Sequence, residues 1–194
     1  MRYLCLILAA SLLASPAWSQ ESDDGDRASS FEEGKSDFDY LLGEWRFTSQ
    51  HAEWGEASGF WTAVRLPTGD GSHILDEYRI VADGGETLYV STTLRAFNAT
   101  TRIWDLVSAE RGTGLQDTGT ARKVGDEMHI DQRFGPSLWR IRYYDIRPDG
   151  FSWVADVSMD EGATWHQAHL RIQARRIGPA RSLEPLGPPR PGDR

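Results

Sequence analysis

Cysteine is almost absent from this chain, because Cys5 is the only one among its 194 residues. It lies in a short apolar run, Leu4–Leu13, which Arg2 precedes and which the small residues of Ala17-Trp18-Ser19 follow. A positive residue, a short apolar run and a small-residue site form the pattern of a cleavable secretory signal. We therefore predict a signal peptide over 1–19 and a periplasmic or secreted protein of bacterial origin. Without its signal the chain has no cysteine, which excludes disulfides, thiolate nucleophiles and Cys-based zinc or iron–sulfur sites.

Long apolar runs and basic clusters are also missing. No stretch reaches the roughly 20 apolar residues that a membrane-spanning helix needs, so we predict no membrane insertion. The formal charge is −8, which argues against nucleic acid and anionic lipid as partners. No P-loop, dinucleotide-binding, Gly-x-Ser-x-Gly or His-Glu-x-x-His pattern occurs, so the sequence predicts no cofactor and no metal. It leaves the oligomeric state open.

Both ends of the mature chain are poor in large apolar residues. Residues 20–36 are acidic and rich in serine and glycine, and residues 178–194 are rich in proline and glycine without periodicity. Segments of this composition bury too little apolar surface to fold. We therefore predict a disordered acidic leader over 20–36 and a disordered Pro/Gly-rich tail over 178–194. The folded part is then one domain over 37–177, long enough to build a single hydrophobic core.

Short strand-like segments alternate with turns throughout this domain. Turn signals such as Asp83-Gly84-Gly85 and Pro148-Asp149-Gly150 separate segments rich in β-branched and aromatic residues. No dozen residues keep a 3.6-residue apolar period, so long helices are not expected. The predicted strands are 43–49, 59–66, 73–81, 87–97, 102–109, 119–124, 127–134, 138–146, 151–159 and 164–177.

This succession predicts an all-β fold, a single antiparallel up-and-down β-barrel of about 8–10 strands. Closing the sheet removes the exposed edge strands that promote aggregation. A barrel of this size is wide enough to hold one small ligand. A β-sandwich is the alternative architecture.

Two blocks of sequence carry a family resemblance. The block Asp37-Phe38-Asp39-Tyr40-Leu41-Leu42-Gly43-Glu44-Trp45 resembles the opening of a large set of uncharacterised exported bacterial proteins with lipocalin-like (calycin-type) β-barrels. The block Ser158-Met159-Asp160-Glu161-Gly162-Ala163-Thr164-Trp165 is similar to the closing hairpin of the same family. The resemblance implies a lipocalin-like barrel that covers the folded region.

The resemblance also implies structural roles for the first block. Trp45 is expected to close one end of the barrel, and Gly43 to allow close approach of the backbone. An arginine of the last strand is expected to lie over Trp45 as a cation–π partner. Arg171, Arg175 and Arg176 are available, and we assign Arg175 this role.

The second block also matches the Asp-box turn of sialidase propellers. We expect Asp160 to accept backbone N–H bonds, Gly162 to adopt a positive φ and Trp165 to pack beneath the turn. One copy cannot form a propeller, which needs several blades. We therefore interpret the block as a structural hairpin.

Tryptophan is abundant, with eight in the chain. Indole rings either fill a core or line a pocket for flat, apolar ligands. Polar residues inside a barrel cost free energy unless they are paired, so buried ones would mark a pocket, whereas exposed ones form solvated salt bridges. A one-residue slip in register would reverse every face assignment. The candidate pocket residues are Trp104, Trp139, Trp153, Arg142, Glu77 and His166; no catalytic residue can be assigned.

Three functions remain open. The first is an exported barrel that binds a small hydrophobic or aromatic molecule. The second is a calycin-fold enzyme, such as an isomerase, hydratase or cyclase, and its candidate groups are His166, Asp156, Glu77 and Arg142. The third is a surface-interaction protein of the cell envelope without a cavity. We favour the first, because tryptophan content and the barrel fold both point to a binding pocket.

Overall fold

The computed structural model describes residues 20–67, 71–116, 118–181 and 183. The predicted signal peptide over 1–19 and most of the predicted tail lie outside these residues. One α-helix, α1, precedes a 3₁₀ turn at Asp39–Leu41 and a series of strands. The elements are α1 (Gln20–Gly34), β1 (Gly43–His51), β2 (Gly55–Arg65), β3 (His73–Val81), β4 (Thr87–Asn98), β5 (Ile103–Glu110), β6 (Gly114–Leu115), β7 (Gly119–Val124), β8 (Glu127–Phe134), β9 (Ser137–Arg147), β10 (Gly150–Ser158) and β11 (His166–Gly178).

The strands form one closed antiparallel sheet. Its order is β4-β3-β2-β1-β11-β10-β9-β8-β7-β5, and β4 also pairs with β5, which closes the ring. The short β6 pairs only with the end of β5. The up-and-down barrel of ten strands is thereby confirmed, and the β-sandwich is excluded. Each predicted strand is present, with ends that differ by a few residues.

Helix α1 occupies the segment that was expected to be a disordered leader, so that expectation is wrong for residues 20–34. Phe31 anchors the helix against Phe97 of β4, with 6.4 Å between ring centroids. The Phe97 ring lies so close to Gly34 that a Cβ on Gly34 would be 2.1 Å from the ring. The average composition of residues 20–36 does not reveal a contact that depends on a single apolar side chain such as Phe31. No helix in the described part of the chain is long and apolar enough to cross a bilayer.

An aromatic plug seals one end of the barrel. Trp45 is fully buried, and its indole N–H donates to the Leu41 carbonyl at 2.7 Å. The ring of Phe151 meets Trp45 nearly edge-on at 4.9 Å. The fully buried Phe38 and Trp104 extend the same cluster, 5.1 Å apart. The segment before β1 therefore folds into the end of the barrel and fills it.

The arginine over Trp45 is Arg176, so the assignment to Arg175 is wrong. The Arg176 guanidinium lies 4.0 Å from the Trp45 ring, and it donates to the carbonyls of Leu42 at 2.6 Å and Tyr40 at 3.0 Å. The strand register explains the choice, because Trp45 is opposite Arg176 whereas Arg175 is opposite Arg46 on the outer face.

Gly43 makes room for this arginine. Its φ is 127°, a left-handed conformation that favours glycine. A Cβ at this position would lie 2.3 Å from Arg176 Nη1. Gly43 therefore meets both a conformational and a steric requirement of the plug.

Candidate ligand cavity

The opposite end of the barrel is hollow. Strand β1 runs from Trp45 at the sealed end to His51 at the mouth, and a cavity of about 780 Å³ opens there. Inward-facing side chains from β1 to β5 and from β8 to β11 line it. Cavities of roughly 300–1,000 Å³ are typical of small-molecule sites.

A buried ion pair lies at the floor of the cavity. Asp76 on β3 and Arg95 on β4 are 2% and 3% exposed, and Arg95 Nε donates to Asp76 Oδ2 at 2.7 Å. Trp61 donates its indole N–H to Asp76 Oδ1 at 2.8 Å, and Arg95 Nη2 lies 3.4 Å from the Tyr143 hydroxyl. Both carboxylate oxygens are thus hydrogen-bonded, as a buried charge requires.

Burial and the ion pair determine the protonation states of the side chains at the cavity floor. Removal from water disfavours the charge of Arg95, but the Asp76 carboxylate and the nearby Tyr143 and Tyr40 together outweigh this effect, so the pKa of the guanidinium is raised. Burial raises the pKa of the Tyr78 hydroxyl and that of the Tyr143 hydroxyl. At neutral pH the floor therefore contains one ion pair and two uncharged phenols.

Histidine and tryptophan rings surround the mouth. His51 stacks on Trp54 with 3.9 Å between ring centroids, and it meets His169 nearly edge-on at 4.4 Å. His169 also contacts Trp139 at 5.9 Å and His166 at 6.5 Å. Across the described ranges, no group of three or more His, Cys, Asp or Glu residues is arranged to hold a metal ion. Contacts between His and Trp rings thus form the rim of the mouth.

His51 also holds the turn between β1 and β2. Its Nδ1 accepts the backbone N–H of Glu53 at 3.1 Å and that of Trp54 at 3.3 Å, which requires an unprotonated Nδ1. Burial and the neighbouring His169 lower the pKa of His51, whereas Glu53 opposes this shift. The neutral ring that the turn needs is thus the favoured form.

The β10–β11 hairpin forms another part of the rim. Asp160 Oδ1 accepts the Thr164 backbone N–H at 2.8 Å, and Oδ2 accepts the Thr164 hydroxyl at 2.6 Å. These bonds lower the pKa of Asp160 to about 2. Gly162 has a φ of 88°, and its carbonyl accepts the Trp165 indole N–H at 3.1 Å. The hairpin is a rigid turn between Met159 and His166, which both line the mouth.

Three of the six candidate pocket residues line the cavity. Trp139 and Trp153 lie on its wall, and the exposed His166 lies at its mouth. For the other three the expectation is wrong. Trp104 points inwards but is part of the plug, where its indole N–H lies 3.4 Å from Asp37 Oδ2.

Glu77 and Arg142 face the solvent. Glu77 pairs with Arg79 at 3.2 Å, and Arg142 lies 3.6 Å from Glu127. Strand alternation explains both positions, because their neighbours Asp76 and Tyr143 take the inward places.

The candidate catalytic groups are not brought together. Of the four, only His166 lines the cavity, and Asp156 instead accepts the backbone N–H of Ala168 at 2.7 Å. The sequence did not single out Asp76, Arg95 or the polar residues of the cavity wall. These wall residues include Thr93, Ser108 and Gln132.

The chain matches no family model and no curated protein. Among solved structures, it is similar to an S-type phycobiliprotein lyase from Guillardia theta, with a TM-score of 0.54 and 13% sequence identity. The match covers 84% of this chain and 98% of that chain. At this identity the likeness shows the fold alone, a lipocalin-like antiparallel barrel.

Proposed function

We propose that this protein is an exported lipocalin-like barrel that binds one small hydrophobic or aromatic molecule in its cavity. The observation that carries the proposal is a hollow interior of about 780 Å³ walled by indole rings that bond within the protein. Trp61 donates to Asp76, and Trp139 donates to Ser137 at 2.9 Å. These rings present apolar surface to a guest.

The size of the void supports the same function. Protein interiors are normally close-packed, and an unfilled cavity loses the contacts that its lining would otherwise make. Keeping such a void open therefore costs stability. A ligand that fills the void restores these contacts, which makes a binding role the simplest reason for the cavity.

Export and family membership are supported by the sequence. The pattern over 1–19 is that of a secretory signal. The Asp37–Trp45 block and the arginine above it have the arrangement expected of the lipocalin-like family of exported proteins. Catalysis is not part of the proposal, since Glu77 and Arg142 face outwards and Asp156 is bonded to the backbone.

Binding of N-phenyl-1-naphthylamine, an uncharged aromatic probe that fluoresces in apolar surroundings, tests the proposal. We expect saturable fluorescence with one site per chain. Leu170→Trp places an indole in the cavity, since Leu170 lines it, and should weaken binding at least tenfold.

Arg171→Trp is the matched control, because it adds the same ring one position along β11 on the exposed face. It should leave the affinity unchanged. Absence of saturable binding to the parent protein, or equal weakening by both variants, would contradict the proposal.

A further inference from the structure

One side of the cavity wall is polar at mid-depth. Thr93 on β4 and Ser108 on β5 are directly opposite each other, and their hydroxyl oxygens are 2.9 Å apart. Gln132 on β8 donates its side-chain N–H to the Ser108 hydroxyl at 3.1 Å. All three are buried residues that line the cavity. We call Thr93, Ser108 and Gln132 the polar strip.

Gly119 allows Gln132 to reach this strip. The two residues are opposite each other on β7 and β8, and a Cβ on Gly119 would lie 2.9 Å from Gln132 Cβ and Cγ. The Gln132 side chain therefore crosses above Gly119 towards β5. Among the described residues, no group donates to the Gln132 side-chain carbonyl, which is left as an acceptor for a guest.

The opposite side of the cavity is apolar. In the ring of strands, β11 is five steps from β5 in either direction, and β10 is five steps from β4. Thr93 and Ser108 thus lie across the barrel from β10 and β11, and the Gln132 side chain on β8 reaches towards Ser108. Strands β10 and β11 contribute the apolar wall, which consists of Trp153, Val157, Leu170 and Ile172.

Apart from the ion pair at its floor and the histidines at its mouth, the charged residues that line the cavity are Glu53 and Glu110, so the described part of the lining offers no free Lys or Arg to a guest. Asp76 and Arg95 neutralise each other at the floor. Arg95 Nη1 has no hydrogen-bond partner among the described residues, but it also has almost no accessible surface, so neighbouring side chains enclose it. An anionic guest would lose its hydration without gaining a counter-ion, which is costly.

We infer that the guest is a flat molecule that carries no negative charge and has one hydrogen-bonding edge. That edge carries hydroxyl, carbonyl or amide groups and faces the polar strip, while the apolar part of the molecule lies against β10 and β11. The inference rests on the proposed function and narrows its ligand class. It separates this cavity from one built for fatty acids or other anions, whose charge would need a free cationic partner.

Three naphthalenes of similar size test the inference on the unmodified protein by displacement of N-phenyl-1-naphthylamine. We expect 2-naphthol to displace the probe roughly three- to tenfold more strongly than 2-methylnaphthalene, which corresponds to one net hydrogen bond. The anion 2-naphthoate should be the weakest of the three. Equal displacement by the hydroxyl and methyl compounds, or strongest displacement by 2-naphthoate, would overturn the inference while the proposed function stood. Failure of the probe itself to bind would overturn the proposed function.

Variants of the strip locate the hydrogen bond. Gln132→Met and Thr93→Val keep the approximate shape but remove the polar atoms, so either should reduce the preference for 2-naphthol and leave 2-methylnaphthalene bound. Thr92→Val is the control, since the Thr92 side chain points to the other face of β4. A preference that survives in a Gln132→Met/Thr93→Val double variant would contradict the assignment of the strip. The ligand series on the unmodified protein decides the question even if a variant fails to fold.

Discussion

Asp76 is a single carboxylate on which two neighbouring side chains depend. It accepts from the Trp61 indole and from Arg95, and together these groups close the cavity floor. Taking an ion pair out of water carries a large desolvation cost, so such a pair persists only with good geometry and further hydrogen bonds. The floor meets both conditions, and it is therefore sensitive to the loss of either partner.

We expect Asp76→Ala to lower the free energy of unfolding by about 3–5 kcal/mol, since it leaves the Arg95 charge buried without a partner. Glu77→Ala, one position further on, removes an exposed carboxylate paired with Arg79. That change should alter stability by less than about 0.5 kcal/mol. Urea unfolding of the two variants measures the difference, and similar losses would show that the floor does not rely on this ion pair.

Arg176 and its neighbour Arg175 allow a second comparison of stability. Arg176→Ala removes a charged donor from the carbonyls of Leu42 and Tyr40, and should lower the free energy of unfolding by roughly 1.5–3 kcal/mol. Arg175→Ala changes an exposed residue of the same strand and should have little effect. Guanidinium unfolding checks both, and a larger loss in Arg175→Ala would reverse the assignment.

Strand alternation explains which site residues the sequence could reveal. In β8, the inward places of Met128 and Ile130 lead in steps of two to Gln132, so this residue was within reach of pattern reasoning. In β4, apolar and polar residues occur on both faces, and the run Ser91-Thr92-Thr93 gives no alternation. The face of Thr93 therefore becomes clear only from its pairing with Ser108.

Among the structural elements, the strands were predictable and the helix was not. Most of the strands are bounded by Gly, Pro, Asn or Asp in turns and have β-branched or aromatic residues within them, and these local signals do not depend on tertiary contacts. Helix α1 has weak amphipathic character, and its attachment depends on the contact between Phe31 and Phe97, which are far apart in sequence. The two-residue β6 is too short to produce a pattern.

The β1–β2 turn is sensitive to a change in pH. His51 Nδ1 accepts two backbone N–H groups, and a proton on Nδ1 would remove both bonds. The pKa of His51 is lowered in the folded protein. Above the ordinary histidine pKa of 6.5, the ring is neutral in both the folded and the unfolded chain, and the turn has its full stability. As the pH falls below that value the unfolded chain takes up the proton first, so the turn loses stability.

We therefore expect bound N-phenyl-1-naphthylamine to be released faster at pH 5 than at pH 7.5, because Trp54 at the mouth loses its support. His51→Asn keeps an acceptor near the Nδ1 position but does not titrate, so it should remove most of this dependence. His169 and Glu53 are the other titratable groups that act on His51, and both remain in the variant. Stopped-flow fluorescence measures the rates; an unchanged pH dependence in His51→Asn would rule out the turn as its origin.

For the barrel as a whole, ligand binding and folding stability are linked. A ligand that binds only the folded state stabilises it by about 2.7 kcal/mol when its concentration is 100 times the dissociation constant. We expect the melting temperature to rise with the concentration of N-phenyl-1-naphthylamine and the rise to be smaller at every concentration in Leu170→Trp. Differential scanning calorimetry measures both, and an equal rise in the two proteins would place the probe outside the cavity.

Strands β5 and β7 share fewer backbone hydrogen bonds than the other neighbouring strands in the ring. Among the described residues, β5 and β7 pair from Trp104–Ala121 to Leu106–Gly119 and no further, whereas β3 pairs with β4 along its whole length. This seam runs beside Ser108 and Gln132. Local opening is easiest where few backbone hydrogen bonds must break. We therefore expect the backbone amides of β5 and β7 at this seam to exchange with deuterium faster than those between β3 and β4.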